Sequence, residues 1–397
     1  MEKSVYLPRG YQAAGVACGI KKNGKRDLAV ITSDVPAAAA GVFTRNVVKG
    51  HSLKWSMAHI KNNPARAIVI NSGNANACVG PEGDADASLF AAMAANLLGC
   101  PSEQVLLGST GVIGYRLPMD KIEAGLREAF GQLSVSGAAN AVEAIMTTDT
   151  FPKLVSVQVE LSGKTATIFG MAKGSGMIHP NMGTMIGVLL TDAAIGKDLL
   201  QKALVTVVDK SFNRVSVDGD TSVCDKVLLL ANGLAGNPEI NTENADYAAF
   251  VNGLENVSVA LSKMLAKDGE GATKLVEVRV KQAPDVESAH LIANAVCKSP
   301  LVKTMIFGQD ANSGRILTAV GYSGVDFNPD TVDIWIGDLL CFENGVAIRF
   351  DEDKALEILK KDEVTITVDL KAGSAEDTMW TCDFSYDYVK INGSYRT

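Results

Sequence analysis

Histidine is scarce. The 397 residues include four, His51, His59, His179 and His290. No two stand at the spacing of a metal-binding pair, so no metal site is expected. Cys-x-x-Cys is absent as well. The seven cysteines (Cys18, Cys78, Cys100, Cys224, Cys297, Cys341 and Cys382) are odd in number and scattered, the pattern of reduced, mostly buried thiols in a cytoplasmic protein. No run approaches the ~18 apolar residues of a membrane span. The opening MEKSVYLPRGYQAAGVACGIKKNGKRD lacks the apolar core of a signal peptide. Basic excess is missing too. A net charge of −8 argues against nucleic acid and anionic membranes as partners, although a local Lys or Arg cluster can still hold an anionic small substrate. Low-complexity tracts, solenoid repeats and flexible linkers do not occur.

What is present is an ordinary globular composition, 47% hydrophobic and 21% charged, long enough for two substantial cores. DLAVITSD (27–34) and ARAIVINSG (65–73) read as strands, and DADASLFAAMAANLLGC as a helix. PKLVSVQVELSGKTATIFGMAKG reads as a hairpin turning at Ser162-Gly163-Lys164. GKDLLQKALVTVVDKSFN is a helix, RVSVDGD and DKVLLLANG are strands, and the long helix from ENADYAAFV stops at Gly269 and Gly271. TKLVEVRVKQ, VDIWIGDLL and EVTITVDL read as strands, ESAHLIANAVCKS as a helix broken before Pro300, and the closing YVKINGSYRT as a strand. This order predicts an α+β fold, mixed sheets covered by helices, in two lobes with a boundary in the second half.

One hydroxyl stands out. Thr184 lies between the loop KGSGMIHPNMG and the apolar run Met185–Leu190, which reads as a buried strand. A threonine there is ordinarily structural, because its hydroxyl is a weak nucleophile without a neighbouring base. Cutting the Gly183–Thr184 bond would supply one. The freed α-amine titrates at roughly 7.7–8.0 and can take the hydroxyl proton directly or through one water. Self-cleavage by Thr184 attack on the Gly183 carbonyl suits a glycine, which tolerates twisted backbone angles.

Other stretches invite weaker readings. LGSTGVIG (107–114) is either a plain turn or a row of small residues whose N–H groups hold an oxyanion; it lacks the Lys and Ser/Thr of a P-loop. NSGNANA (71–77) reads as a loop with no assigned chemistry. DGEGATK (268–274) reads as a glycine helix stop, with Glu270 as a candidate acid or cation binder. The terminal carboxylate of Thr397 is a candidate fixed charge for a cationic ligand.

Taken together, RGYQAAGVACGIK, AAGVFTRN, INSGNANAC, STGVIG, MTTDTFPK, KGSGMIHPNMGTM, SVDGDTSVCD, KDGEGATK, CKSPLVKTMIFGQDANSGRI and YVKINGSYRT resemble the ornithine acetyltransferase family from end to end. That family is also called bifunctional glutamate N-acetyltransferase, or ArgJ. The resemblance implies a DmpA/ArgJ-like layered fold and a self-cleaving enzyme of the N-terminal-nucleophile type. Its α chain would be 1–183 and its β chain 184–397. It implies Thr184 as nucleophile, Thr110 and Gly111 as the oxyanion-hole pair, and Thr150, Lys173, Thr184, Glu270, Asn392 and Thr397 as substrate-binding positions.

The implied reaction moves acetyl from N-acetylornithine to glutamate and releases ornithine. No cofactor is implied, and acetyl-CoA enters solely as a further co-substrate of bifunctional members. The implied assembly is an α2β2 heterotetramer. Alternatives are a DmpA-type amidase or aminopeptidase and a non-enzymatic amino-acid-binding relative. One position departs from the family: Gly183 stands where alanine is usual.

Overall fold

A computed structural model describes residues 5–179 and 185–394. The expectations for Gly183, Thr184 and Thr397 fall outside the described residues. The chain forms two compact units. One holds residues up to Asn213 together with Asp220–Leu261; the other holds Arg214–Gly219 and most of the chain from Ser262 on.

The first unit is built on strands β1 (Tyr11–Val16), β2 (Leu28–Phe43), β3 (Ala65–Asn74), β4 (Val105–Val112), β5 (Lys153–Leu161), β6 (Lys164–Lys173), β7 (Ile186–Thr191) and β8 (Lys226–Ala231). They form one mixed sheet in the order β4-β3-β2-β8-β7-β6-β5, with β1 pairing β2. β3 with β4 and β7 with β8 run parallel. Its helices are α1 (His51–His59), α2 (Pro81–Leu98), α3 (Met119–Gly131), α4 (Ala138–Ile145) and α5 (Lys197–Lys210).

The apolar runs of β2 and β3 follow from burial on both faces. Val30, Ala67 and Val69 pack with Phe90 of α2 and Leu126 of α3. The alternate residues Ile31, Ile68 and Ile70 pack with Val142 and Ile145 of α4. Ser162 (φ 48°) and Gly163 (φ 76°) make the β5–β6 turn. That turn is one residue shorter than the sequence reading, since Lys164 already pairs with Leu161.

α6 (Ala245–Lys267) starts in the first unit and ends in the second. The second unit adds β9 (Leu275–Ala283), β10 (Asp333–Ile336), β11 (Leu339–Glu343), β12 (Val346–Ala347), β13 (Glu363–Asp369) and β14 (Ala375–Cys382), ordered β12-β11-β10-β13-β9-β14. α7 (Val286–Lys298), α8 (Pro300–Gly308), α9 (Gly314–Gly321), α10 (Glu352–Leu359) and α11 (Tyr386–Ser394) complete it. Here the strands alternate cleanly. Val276, Val278, Val280, Ile366 and Val368 enter a core with Ile292 and Val296 of α7, while Arg279, Thr365 and Thr367 line the opposite face.

Four sequence expectations change. RVSVDGD is not a strand: Val215 makes an isolated bridge to Trp380, and the chain turns at Gly219 (φ 84°). Val215, Ser216 and Val217 are buried in succession, the packing of an irregular segment without a ladder. VDIWIGDLL is two strands, split by Gly337 at φ 62°. LGSTGVIG is not a turn, because Gly108 to Val112 continue β4. The tail is helix α11, started by Ser385, whose Oγ accepts from Asp387 N at 3.1 Å.

All seven cysteines are free thiols, and Cys224, Cys297, Cys341 and Cys382 are buried. Among the described residues, no helix is long and apolar enough to cross a membrane.

Candidate active site

Small residues at the end of β4 allow two strands to approach closely. β3 and β4 run in parallel register, with Ser109 beside Asn71, Thr110 beside Ser72 and Gly111 beside Gly73. Gly111 has φ 126°. A Cβ there would lie 2.5 Å from the Gly73 carbonyl carbon and 2.7 Å from Asn74 N, so no other residue fits without moving backbone. The asparagines of NSGNANA brace this strand end. Ser109 Oγ donates to Asn71 Oδ1 at 2.6 Å, and Asn71 Nδ2 donates to Asn74 O at 2.8 Å. Asn74 Nδ2 reaches Arg116 O at 2.9 Å, while its Oδ1 accepts from Asn76 N at 2.8 Å. A fixed, small-residue strand end of this kind can present N–H groups to a developing oxyanion with little reorganisation.

Lys173 closes β6 and is buried. The group that organises its surroundings is Asp149, which the sequence did not single out. Asp149 Oδ1 accepts from Lys153 Nζ at 2.8 Å and from Gly174 N at 2.6 Å, and Oδ2 accepts from Thr147 N at 2.9 Å. This ties the exposed Thr150 segment to the end of β6. Burial alone would raise the Asp149 carboxyl. The charges of Lys173 and Lys153, with the bonds from Lys153 and Gly174, outweigh it and lower the carboxyl to about 2.

Asp149→Asn breaks the fully buried ion pair between Asp149 and Lys153, a rupture that costs about 3–5 kcal/mol. Because the folded pKa lies below the ordinary 3.8, the stability that Asp149 contributes is present above that value and is lost as pH falls towards about 2. Urea midpoints should therefore fall with acid more steeply in wild type than in Asp149→Asn. Parallel slopes would sink this assignment.

The segment SVDGDTSVCD holds both flanks of the Gly183–Thr184 region. Before it, Thr221 Oγ1 donates to His179 O at 3.0 Å. After it, Lys226 N donates to Met185 O at 3.1 Å, and the Asp225 carboxyl accepts the Met185 N–H. Asp225 is buried, and its Oδ2 has no partner among the described residues. Burial raises this carboxyl well above the usual range, against the opposing pull of backbone N–H groups, Lys173 and Lys226. Beside it, burial lowers the Lys226 ammonium to about 8, and its Nζ donates to Leu107 O in β4 at 3.0 Å.

In the second unit, Asn392 of α11 donates from Nδ2 to Glu270 Oε2 at 2.8 Å. The turn carrying Glu270 is held by Ser385 Oγ on Gly271 O at 2.5 Å. Asp383 Oδ1 also accepts from Thr273 N at 2.7 Å and Lys274 N at 2.9 Å. Thus the structure brings together Thr110 with Gly111, Lys173 with the Thr150 segment, and Glu270 with Asn392.

The ArgJ family model matches residues 12–397. The chain belongs to the ArgJ family. The arginine biosynthesis bifunctional protein ArgJ of Symbiobacterium thermophilum is 53% identical over 395 residues, covering 99% of this chain and 98% of its own length. That of Caldanaerobacter subterraneus subsp. tengcongensis is 50% identical over 401 residues, covering 100% and 99%. A crystal structure of the ArgJ protein from Bacillus halodurans aligns with a TM-score of 0.50 and 43% identity. The alignment covers 51% of this chain and 96% of that one.

In this ArgJ chain, Asp149 and Asp225 escaped sequence reasoning although each lies inside a stretch quoted for the resemblance. A hint existed for Asp149: an acid four residues before a lysine in TTDTFPK. Nothing in SVDGDTSVCD announces that its last residue faces Met185.

Proposed function

We propose that this protein transfers acetyl from N2-acetylornithine to glutamate by ping-pong chemistry at Thr184, after cutting its own Gly183–Thr184 bond. The observation that carries the reading is the braced end of β4 in a chain of the ArgJ family, where Gly111 has no room for a Cβ. Thr184 Oγ attacks the acetyl carbonyl while its own α-amine takes the proton. Thr110 and Gly111 stabilise the oxyanion, the amide C–N bond breaks, and ornithine leaves with the proton. The glutamate amine then attacks the acetyl ester, returning the hydroxyl. Both substrate and product are amides, so the exchange is close to thermoneutral and needs no activated donor.

Lys173 would hold a substrate carboxylate, with Thr150, Glu270, Asn392 and the Thr397 carboxylate as further binding groups. The two pieces would be 1–183 and 184–397, assembled as α2β2 in the cytoplasm. The Bacillus structure supports two pieces, since almost all of its chain accounts for half of this one. The relatives are bifunctional by name, and we extend the reading to acetyl-CoA as a second donor to the same threonine.

The test is acetyl transfer from N-acetylornithine with glutamate varied, together with intact-mass analysis of the fragment beginning at Thr184. An acetyl adduct that glutamate discharges, with parallel double-reciprocal lines, is expected. Release of acetate at a rate independent of glutamate would instead mark a hydrolase.

A further inference from the structure

Beside the Thr150 segment lies a cleft of about 630 Å³, lined by Lys21, Arg26, Glu143, Thr147, Asp149 and Thr150 among others. Lys21 is built into it. The loop between β1 and β2 folds back on the buried Asp27, whose Oδ1 accepts from Cys18 N at 2.7 Å and whose Oδ2 accepts from Lys21 N at 2.9 Å. The Lys21 side chain then crosses to the end of α4. There Nζ donates to Met146 O and to Arg26 O, each at 2.7 Å. An ammonium carries three donors, and these carbonyls use two. Arg26 is neutralised by Glu143 at 3.0 Å. Among the described residues, no carboxylate comes within 4 Å of Lys21 Nζ. A half-buried cation with one donor left, in a cleft shared with a proposed substrate-binding residue, is an unfilled anion site.

The geometry points to Lys21 as a specificity-determining residue that binds the side-chain carboxylate of the glutamate acceptor. This rests on the acetyl-transfer reading above and deepens it by naming what recognises the acceptor. The charge state of Lys21 agrees. Burial, and then the like charges of Lys173 and Lys25, lower it from 10.5 to about 8, against the opposing pull of Asp27 and Asp149. Arg26, Glu128 and Glu143 are the other charged groups at this wall. A carboxylate ligand would restore the missing counter-charge. A lysine near 8 also gives up its proton readily when the cationic ornithine side chain occupies the same place, which suits one site serving two side chains of opposite charge.

The experiment compares glutamate with glutamine, its uncharged isostere, as acceptors for wild type, Lys21→Met and Lys21→Arg, with N-acetylornithine as donor. Wild type should prefer glutamate, and Lys21→Met should lose roughly 10- to 100-fold of that preference, with a much smaller change in the KM for N-acetylornithine. The α-amine is common to both acceptors, so the ratio of their kcat/KM values isolates the side chain. In wild type the ratio should fall as pH rises through about 8, where Lys21 loses its charge. Lys21→Arg, charged throughout, should keep the preference and flatten the fall, and it carries the test if Lys21→Met does not fold.

A Lys21→Met enzyme that weakens both acceptors equally, or a Lys21→Arg ratio that still falls near pH 8, overturns the assignment. Absence of acetyl transfer in wild type would instead overturn the function on which it rests.

Discussion

Thr184→Ala is expected to yield one uncut, folded and inactive chain, where wild type runs as two fragments on a denaturing gel. Both consequences follow from one oxygen atom. Without it nothing attacks the Gly183 carbonyl, so no α-amine is freed. Without it nothing carries the acetyl group either. Loss of a covalent nucleophile removes roughly 10⁴- to 10⁶-fold of kcat. Thr184→Ser keeps the oxygen and should still be cut. The flanks should not collapse in either variant, because Thr221 holds His179, and Asp225 and Lys226 hold Met185. A thermal midpoint close to wild type would confirm that the loss is chemical. A Thr184→Ala chain recovered as two fragments would sink the self-cleavage mechanism.

Gly111→Ala should be the next most damaging change. The new Cβ would sit 2.5 Å from the Gly73 carbonyl carbon, and φ 126° is a conformation that residues with a side chain rarely adopt. Either β4 moves away from β3 or the peptide rotates, and both displace the N–H proposed to meet the oxyanion. Removing one such donor costs about 10²–10³ in kcat, with little change in KM if the substrate-binding groups stay in place. Gly114→Ala is the matched control. It has positive φ, 88°, but nothing lies within 4 Å of the added methyl. It should cost about 1 kcal/mol of stability and leave kcat near wild type. A Gly111→Ala enzyme with kcat within threefold of wild type would remove this strand end from the chemistry.

How far the residues announced this fold depended on whether partners were near in sequence. α2, α6 and α7 each carry their own periodicity, β3 its own apolar run, and β9 and β13 their own alternation, so they were legible. The β5–β6 hairpin was legible because its turn residues are local. The end of β4 was not. Small residues usually mark turns, and what keeps Gly108 to Val112 extended is the register with β3, nearly forty positions earlier in the chain. The tail alternated like a strand over YVKI, yet the Ser385 cap made it a helix.

Among the candidate site residues, motif resemblance pointed to Thr110, Gly111, Lys173, Glu270 and Asn392. It gave no reason for them. Asp149 does its work through Lys153 and Gly174, Asp225 through Met185, and Lys21 through Met146. Each is a contact that appears when distant segments meet.

The strand order has a consequence for molecularity. In β2-β8-β7-β6, β7 and β8 follow Thr184 in the chain, and their neighbours on both sides precede it. A cut at Gly183–Thr184 therefore makes an interlocked pair, joined by ladders along β2–β8 and β6–β7. Neither piece can leave without tearing the middle out of the sheet. With the proposed cut, folding happens once, as a single chain, and the return trip is a second-order reaction between two fragments. The persistence of the mature protein then becomes a matter of how slowly the sheet opens, and recovery after denaturation becomes a matter of concentration.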